Sequence, residues 1–93
     1  MKIYIAGKIT GDKDYRRKFN EAAFKYSKNG ENVVLNPSIL PDGMFPEDYM
    51  KICLAMIDCA DVVVFLSDWT ESKGAMVEFE YCNYIGKKII VDR

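Results

Sequence analysis

Histidine is absent from this chain of 93 residues, and its three cysteines show no Cys-x-x-Cys spacing. Because histidine and closely spaced cysteines are the usual ligands of zinc, no zinc site is expected, and the sequence predicts neither a metal nor another cofactor. The cysteines, Cys53, Cys59 and Cys82, lie in apolar surroundings with helical character. They indicate buried, reduced thiols in a cytoplasmic protein.

Long apolar runs are missing as well. No stretch approaches the roughly 20 apolar residues that span a bilayer. The N-terminal segment MKIYIAG leads directly into a strand. We therefore expect no membrane segment and no signal peptide.

An excess of either charge is also missing. The chain has 13 Lys and Arg residues and 14 Asp and Glu residues, which gives a formal net charge of −1, and the two signs are interspersed. This balance provides no basic surface for a nucleic-acid polymer or an anionic membrane. A small molecule is the expected partner.

The familiar glycine motifs of nucleotide-binding folds do not occur. The only glycine pattern near a strand end is Gly7-Lys8-Ile9-Thr10-Gly11, which is neither the GxGxxG of dinucleotide-binding folds nor a Walker loop. The sequence therefore indicates neither a nicotinamide cofactor nor a triphosphate-binding loop.

Four short apolar runs alternate with three amphipathic segments of helical period. This pattern predicts an α/β fold with one domain over residues 1–93, built as a small doubly wound, flavodoxin-like or Rossmann-like parallel sheet. We expect the strand order 2-1-3-4 with helices on both faces, and a homodimer or higher homo-oligomer because so short a chain buries little surface. The predicted strands are 2–6, 31–36, 60–66 and 89–91, and the predicted helices are 15–29, 46–57 and 72–86.

Ligands of such sheets bind where the strand order reverses, which here lies between strands one and three. The loop that contains Gly7, Ile9 and Gly11 should therefore face the start of the third helix. The long loop from Pro37 to Pro46 has the length of a functional lid.

Glu78 is the carboxylate that this arrangement brings to the crevice. It lies four residues after Gly74, one helical turn inside the third helix. There it can act as a nucleophile or accept a hydrogen bond from a sugar hydroxyl. The plainer interpretation is a solvated glutamate on the helix surface.

Ser72 and Gly74, at the start of the same helix, predict a seat for an anion such as a monophosphate, because backbone N–H groups point outward at a helix N-terminus. Ser72 is equally a good N-cap, and the two roles are compatible. Trp69 is expected either to stack on a base or to fill a dimer interface. Asn36 either touches a ribose hydroxyl or simply occupies a strand end before proline.

Three motifs resemble the nucleoside 2-deoxyribosyltransferase superfamily: Y-I-A-G-x-I-x-G at Tyr4–Gly11, ADVVV at Ala60–Val64 and S-x-G-x-x-x-E at Ser72–Glu78. Within the superfamily they are similar to the 2′-deoxynucleoside 5′-phosphate N-hydrolases. The pattern over nearly the whole chain is most similar to an uncharacterised branch found in phages and bacterial genomes.

This resemblance implies that Glu78 forms a covalent deoxyribosyl ester, with Tyr4 beside it and Ser72 on the 5′-phosphate. It also implies a dimer or larger assembly. Cys53 stands where the family has the aspartate that assists the leaving base, and a thiol is a much weaker proton donor. Asp48, Asp68 and Glu71 are further candidates for that role, although exposed loop acids are the plainer interpretation of the last two.

Two hypotheses about function follow, with a third behind them. The first is an N-glycosidase or deoxyribosyltransferase that acts on a (deoxy)nucleoside 5′-monophosphate. The second is a protein that binds a nucleotide or nucleotide-derived signal without cleaving it, and the third is a dimeric interaction domain with a vestigial site. The predicted catalytic residues are Glu78 and Tyr4, and the predicted substrate-binding residues are Gly7, Ile9, Gly11, Asn36, Trp69, Ser72 and Gly74.

Overall fold

Within residues 1–92, which the computed structural model describes, four strands alternate with three α-helices. Two short 3₁₀ helices, Pro37–Ile39 and Trp69–Glu71, lie in the loops before the second and third α-helices. The seven main elements are β1 (Lys2–Ala6), α1 (Tyr15–Ser27), β2 (Val33–Leu35), α2 (Pro46–Cys59), β3 (Val62–Phe65), α3 (Lys73–Ile85) and β4 (Lys88–Val91).

The strands form one parallel sheet in the order β2-β1-β3-β4. Tyr4 of β1 is in register with Leu35 of β2 on one side and with Val63 of β3 on the other. The predicted order 2-1-3-4 is confirmed. The order reverses between β1 and β3, and the helices that follow these two strands, α1 and α3, lie on opposite faces of the sheet, which is the arrangement that leaves a crevice at its carboxyl edge.

Helices cover both faces of the sheet, as predicted. On one face, Tyr4 and Phe65 pack with Cys53 of α2 and Cys82 of α3. On the other, Ile5 packs with residues of α1, chiefly Phe19 and Ala22. Because the two central strands are buried on both faces, their sequences are continuous apolar runs without alternation.

Apart from β1, each element differs from its predicted bounds by one or two residues at one end or both, and the boundary between α1 and β2 shows the cause most clearly. α1 ends at Ser27, two residues early, because Lys28 takes a left-handed conformation (φ 47°) and starts a turn with Asn29 and Gly30. β2 then begins only at Val33, since the amide N–H of Asn32 still donates to the Ser27 carbonyl. The predicted strand begins at residue 31, but residues 31 and 32 belong to the turn that follows α1.

The cysteine prediction is correct for two residues and wrong for one. Cys53 and Cys82 are buried in the core, whereas Cys59 is exposed. Cys59 is the last residue of α2. It follows the buried Ile57 by two residues, which is about 200° around the helix, so its side chain points away from the sheet despite its apolar neighbours in sequence.

Candidate active site

A cavity of about 930 Å³ lies at the carboxyl edge of the sheet, at the predicted reversal point. Its lining comes from β1 and the loop after it, from the segment before α2, from α2 itself and from the start of α3. The volume falls in the range of small-molecule sites. Seven of the nine predicted site residues line it: Tyr4, Gly7, Ile9, Gly11, Ser72, Gly74 and Glu78.

Glu78 lies in this cavity and is only 6% exposed. The Tyr4 hydroxyl, itself buried, donates a hydrogen bond of 2.7 Å to Glu78 Oε2. Burial raises the pKa of Glu78 to about 7, although the hydrogen bond from Tyr4 opposes this rise. The interpretation of Glu78 as a solvated helical side chain is therefore wrong.

The second carboxylate oxygen of Glu78 faces the cavity. No hydrogen bond among residues 1–92 uses Oε1, while every fully buried side-chain oxygen in this part of the chain has a partner. Oε1 must therefore keep some solvent access. One oxygen is held by Tyr4 and the other remains open to a ligand.

Cys53 lines the cavity next to Tyr4 and Glu78. Burial raises the pKa of its thiol to about 11, and the charge of Glu78 acts in the same direction, while a hydrogen bond with Tyr4 lowers it. The thiol thus keeps its proton near neutral pH. Asp48 does not replace it, because its Oδ2 accepts a hydrogen bond of 3.2 Å from the Phe45 amide at the start of α2.

The N-terminus of α3 forms one wall of the cavity. Ser72 is its N-cap, and Ser72 Oγ accepts a hydrogen bond of 3.1 Å from the Ala75 amide. The N–H groups in the first turn of a helix have no partner within the helix, and here Lys73 and Gly74 belong to that turn and line the cavity. This wall has the chemistry of an anion-binding helix end.

The loop between β1 and α1 forms the opposite wall and is held in place by Lys18. The Lys18 ammonium donates to the Lys8 carbonyl at 2.8 Å and to Asp12 Oδ2 at 2.6 Å, and it also pairs with Asp68 in the loop after β3. Asp68 in turn accepts from the Lys8 amide at 3.1 Å. Asp68 is therefore engaged in this network, and the loops after β1 and β3 are joined directly.

Gly7 is where these two loops come closest. A Cβ atom at this position would lie 3.0 Å from Leu66 Cδ1 and 3.2 Å from Asp68 Oδ1. A methyl group at this position would therefore force its neighbours in the loop after β3 to shift by a few tenths of an ångström, independently of any ligand.

The segment before α2 covers the outer part of the cavity. Tyr49 donates to the Pro41 carbonyl at 2.6 Å and accepts from the Met44 amide at 3.2 Å. From the other side, the Arg16 guanidinium binds Asp42 Oδ1 at 3.1 Å. Three lining residues in this region, Tyr15, Asp42 and Tyr49, were not predicted as site residues.

Trp69 and Asn36 lie away from the cavity lining. The Trp69 ring stacks on Phe79, with centroids 4.3 Å apart and 17° between the planes, and meets the edge of Phe65. Asn36 accepts from the Ser38 amide at 2.9 Å and donates to Asn20 Oδ1 at 2.9 Å. Both side chains therefore make contacts within the protein, and neither lines the cavity.

Residues 1–92 contain neither a cluster of metal ligands nor a membrane-spanning helix. No group of three or more Cys, Asp or Glu side chains there is placed to hold a metal ion. None of the helices described combines the length and the apolar character needed to cross a membrane.

The fold is that of a deoxyribosyltransferase. The chain superposes on a 2-desoxiribosyltransferase from Leishmania mexicana with a TM-score of 0.75 and 19% sequence identity, over 97% of this chain and 62% of that one. This similarity confirms the predicted resemblance at the level of the fold. The chain spans less than two thirds of the length of that protein.

A family model described as a domain of unknown function, DUF4406, matches residues 1–91, and the chain belongs to this family. No curated protein sequence matches the chain.

Proposed function

We propose that the protein is an N-glycosidase or deoxyribosyltransferase that acts on a (deoxy)nucleoside 5′-monophosphate, with Glu78 as the nucleophile. The observation that carries this proposal is the Glu78 carboxylate itself, which is buried in a cavity of ligand size and oriented by Tyr4. A largely buried carboxylate that is hydrogen-bonded at one oxygen only is suited to attack an anomeric carbon. The deoxyribosyltransferase fold is in keeping with this chemistry.

The proposed reaction begins with Glu78 in its ionised form. Oε1 attacks the anomeric carbon of the sugar while the bond to the base breaks, and Tyr4 holds Oε2 so that the carboxylate does not rotate. Water, or a second base, then displaces Glu78 from the covalent intermediate. Water gives the free sugar phosphate, and a second base gives a new nucleotide.

The 5′-phosphate is assigned to the N-terminus of α3. Gly74 and Ser72 lie there, four and six residues before Glu78, which is about 6 Å and 9 Å along the helix axis. A ribose ring with its 5′-methylene group has comparable dimensions. One helix thus supplies both the phosphate seat and the nucleophile, and this spacing supports a nucleotide over a nucleoside.

Two further expectations remain proposals. We propose a cytoplasmic location, in keeping with free thiols at Cys53, Cys59 and Cys82. We also propose a homodimer or higher homo-oligomer, which the exposure of large apolar side chains such as Tyr84 and Phe24 supports.

Binding without cleavage is the second candidate, and one observation favours it. Cys53 sits beside the nucleophile and retains its proton. A site of this kind can bind a nucleotide and yet lack the acid that releases a neutral base.

Incubation of the purified protein with a panel of deoxynucleoside and ribonucleoside 5′-monophosphates tests the proposal. Free base is measured by chromatography, and the Glu78→Gln variant serves as the matched control because its amide can still accept the hydrogen bond from Tyr4. Base release that disappears in the variant is the expected result. A ligand-induced rise in melting temperature without base release from any substrate would transfer the assignment to the binding protein.

A further inference from the structure

Proton donors near Glu78 are few and weak. Of the cavity-lining side chains, the Tyr4 hydroxyl and the Cys53 thiol hold a proton next to this carboxylate. Burial and the neighbouring Glu78 raise the pKa of Tyr4 well above its usual value, and burial raises the pKa of Cys53 to about 11. Neither group transfers a proton readily to a departing base near neutral pH.

The other carboxyl groups that line the cavity face cations. Asp12 binds the Lys18 ammonium at 2.6 Å, and this hydrogen bond lowers the pKa of Asp12. Asp42 binds Arg16 at 3.1 Å, and Glu71 lies 3.6 Å from the Lys8 ammonium. In these pairs each carboxyl group serves as an anion and an acceptor, which is the opposite of what a proton donor needs.

A neutral base and a cationic base place different demands on such a site. A neutral purine or pyrimidine leaves as an anion unless it is protonated, and a positioned general acid typically contributes 10²–10⁴-fold. A base that is already a cation takes up the electron pair of the breaking bond and leaves as a neutral molecule. It needs no proton.

We infer that the preferred substrates of this site are N-glycosides whose base carries a positive charge before cleavage, such as N7-alkylated purine nucleotides and pyridinium nucleotides. This inference rests on the proposed function, with Glu78 as the nucleophile. It assigns the class of leaving group, which neither the fold nor the family determines.

Water is the only other reactant that this reaction needs. Glu78 Oε1 forms a bond to the anomeric carbon, the C–N bond breaks, and its electron pair neutralises the positive ring. Water then attacks the anomeric carbon, the carboxylate of Glu78 is released, and one proton passes to solvent. The products are the neutral base and the sugar 5′-phosphate.

The charge of the lining also suits a cation. Four of the charged lining side chains carry carboxyl groups and two are lysines. The carboxyl groups belong to Asp12, Asp42, Glu71 and Glu78, and the lysines are Lys13 and Lys73. Asp12, Asp42 and Glu71 are paired with Lys18, Arg16 and Lys8, so among residues 1–92 Glu78 is the lining carboxylate that no cation pairs with and that can face a positive ring. A positive ring there also favours the ionised form of Glu78.

Matched pairs of substrates test the inference. N7-methyl-2′-deoxyguanosine 5′-monophosphate is compared with 2′-deoxyguanosine 5′-monophosphate, which has the same sugar and phosphate. Nicotinamide mononucleotide is compared with its reduced, uncharged dihydro form. The two pairs thus test a cationic purine and a pyridinium ring as leaving groups separately. Base release is measured by chromatography, and the rates without protein and with Glu78→Gln are subtracted.

The expected result is Glu78-dependent release from at least one cationic member, at a rate about 10²-fold or more above its neutral partner. Equal rates within each pair, or faster release from the neutral members, would overturn the inference while the proposed function stands. Glu78-dependent release from none of the four compounds would overturn the inference, and the proposed function falls with it only if the wider panel of 5′-monophosphates also gives no release.

Cys53→Asp gives a second test, with Cys53→Asn as the control of equal size. The carboxyl group introduced beside Glu78 is expected to raise release from the neutral deoxyguanosine nucleotide by about 10²-fold, while the amide is not. Both variants are first checked for a cooperative melting transition. If a folded Cys53→Asp variant gains nothing on the neutral substrate, the missing acid is not what limits cleavage and the inference is wrong.

Discussion

The Tyr4 hydroxyl donates a hydrogen bond of 2.7 Å to Glu78 although 74 positions separate the two residues in the chain. Tyr4 lies on β1 and Glu78 on α3, so the bond forms only when the two halves of the fold have come together. Both side chains are buried. The pair therefore ties the chemistry of the cavity to the packing of the core, and Glu78 and Tyr4 are the first residues to vary.

Stability should decrease as the pH rises through the range in which Glu78 ionises. The pKa of Glu78 is raised from 4.5 to about 7, so the folded state holds a proton between these values that the unfolded state has released. This contribution is fully present below about pH 4.5 and is lost as the pH rises through about 7. On the order of 3 kcal/mol of unfolding free energy is involved. Urea unfolding at pH 5 and pH 8 measures it, and Glu78→Gln should remove most of this difference.

Catalysis should show the opposite trend with pH. A nucleophilic carboxylate must be ionised, so kcat/KM for base release should rise with an apparent pKa near 7, which is that of Glu78 in the free protein. A cationic substrate stabilises the ionised form of Glu78. The rise of kcat with pH should therefore occur at lower pH than the rise of kcat/KM. Initial rates from pH 5 to pH 9 give both profiles. A rate that falls across this range would mean that Glu78 acts as an acid and not as a nucleophile.

Tyr4→Phe should raise the pH at which kcat/KM for base release reaches half of its maximum. The hydrogen bond from Tyr4 lowers the pKa of Glu78, so its removal leaves burial unopposed and raises that pKa further. At pH 8 the variant should lose roughly 1.5–3 kcal/mol of stability, the usual range for a hydrogen bond to a charged group. The pH profile of base release and urea unfolding at pH 8 measure the two effects. An unchanged midpoint would show that Tyr4 does not control the ionisation of Glu78.

The strand order and the location of the cavity were predictable from sequence because both follow from the element pattern. The runs around Ile5 and Val64 are apolar without alternation, which is characteristic of strands buried on both faces. Once the order is known, the reversal point brings Gly7 and Glu78 to one edge of the sheet. The burial of Glu78 was left open, because helical spacing gives the direction of a side chain but not what covers it.

The contacts of Trp69 and the path of the loop before α2 were not predictable. Trp69 folds back onto Phe79 through a 3₁₀ turn, and no local pattern distinguishes that turn from an open loop. The loop is fixed by tertiary hydrogen bonds, such as that from Tyr49 to the Pro41 carbonyl and that from Arg16 to Asp42. Such bonds depend on where α1 and α2 lie, which is information that the loop itself does not contain.

Gly7→Ala should destabilise the protein and disturb the cavity. The added methyl group would lie 3.0 Å from Leu66 Cδ1 and 3.2 Å from Asp68 Oδ1, which is tighter than ordinary packing, so these side chains must shift to admit it. A loss of about 1–3 kcal/mol is expected from urea unfolding. Gly74→Ala is the matched control for stability, because its methyl group would meet Met50 Cε at 3.8 Å, an ordinary contact. Equal stability of the two variants would contradict the close approach at Gly7.

Lys18→Met should loosen the wall of the cavity more than it unfolds the protein. Lys18 joins the Lys8 carbonyl, Asp12 and Asp68, and without it the two carboxylates repel each other across the junction of the two loops. Amide hydrogen exchange at residues 8–14 should accelerate, and a nucleotide should bind more weakly, while global stability falls little because the ammonium is partly exposed. Arg17→Met is the control, since the pair of Arg17 with Asp14 is largely exposed and should contribute almost nothing. If both variants leave exchange in this loop unchanged, Lys18 is a surface charge and the loop is held by Gly7 and its packing alone.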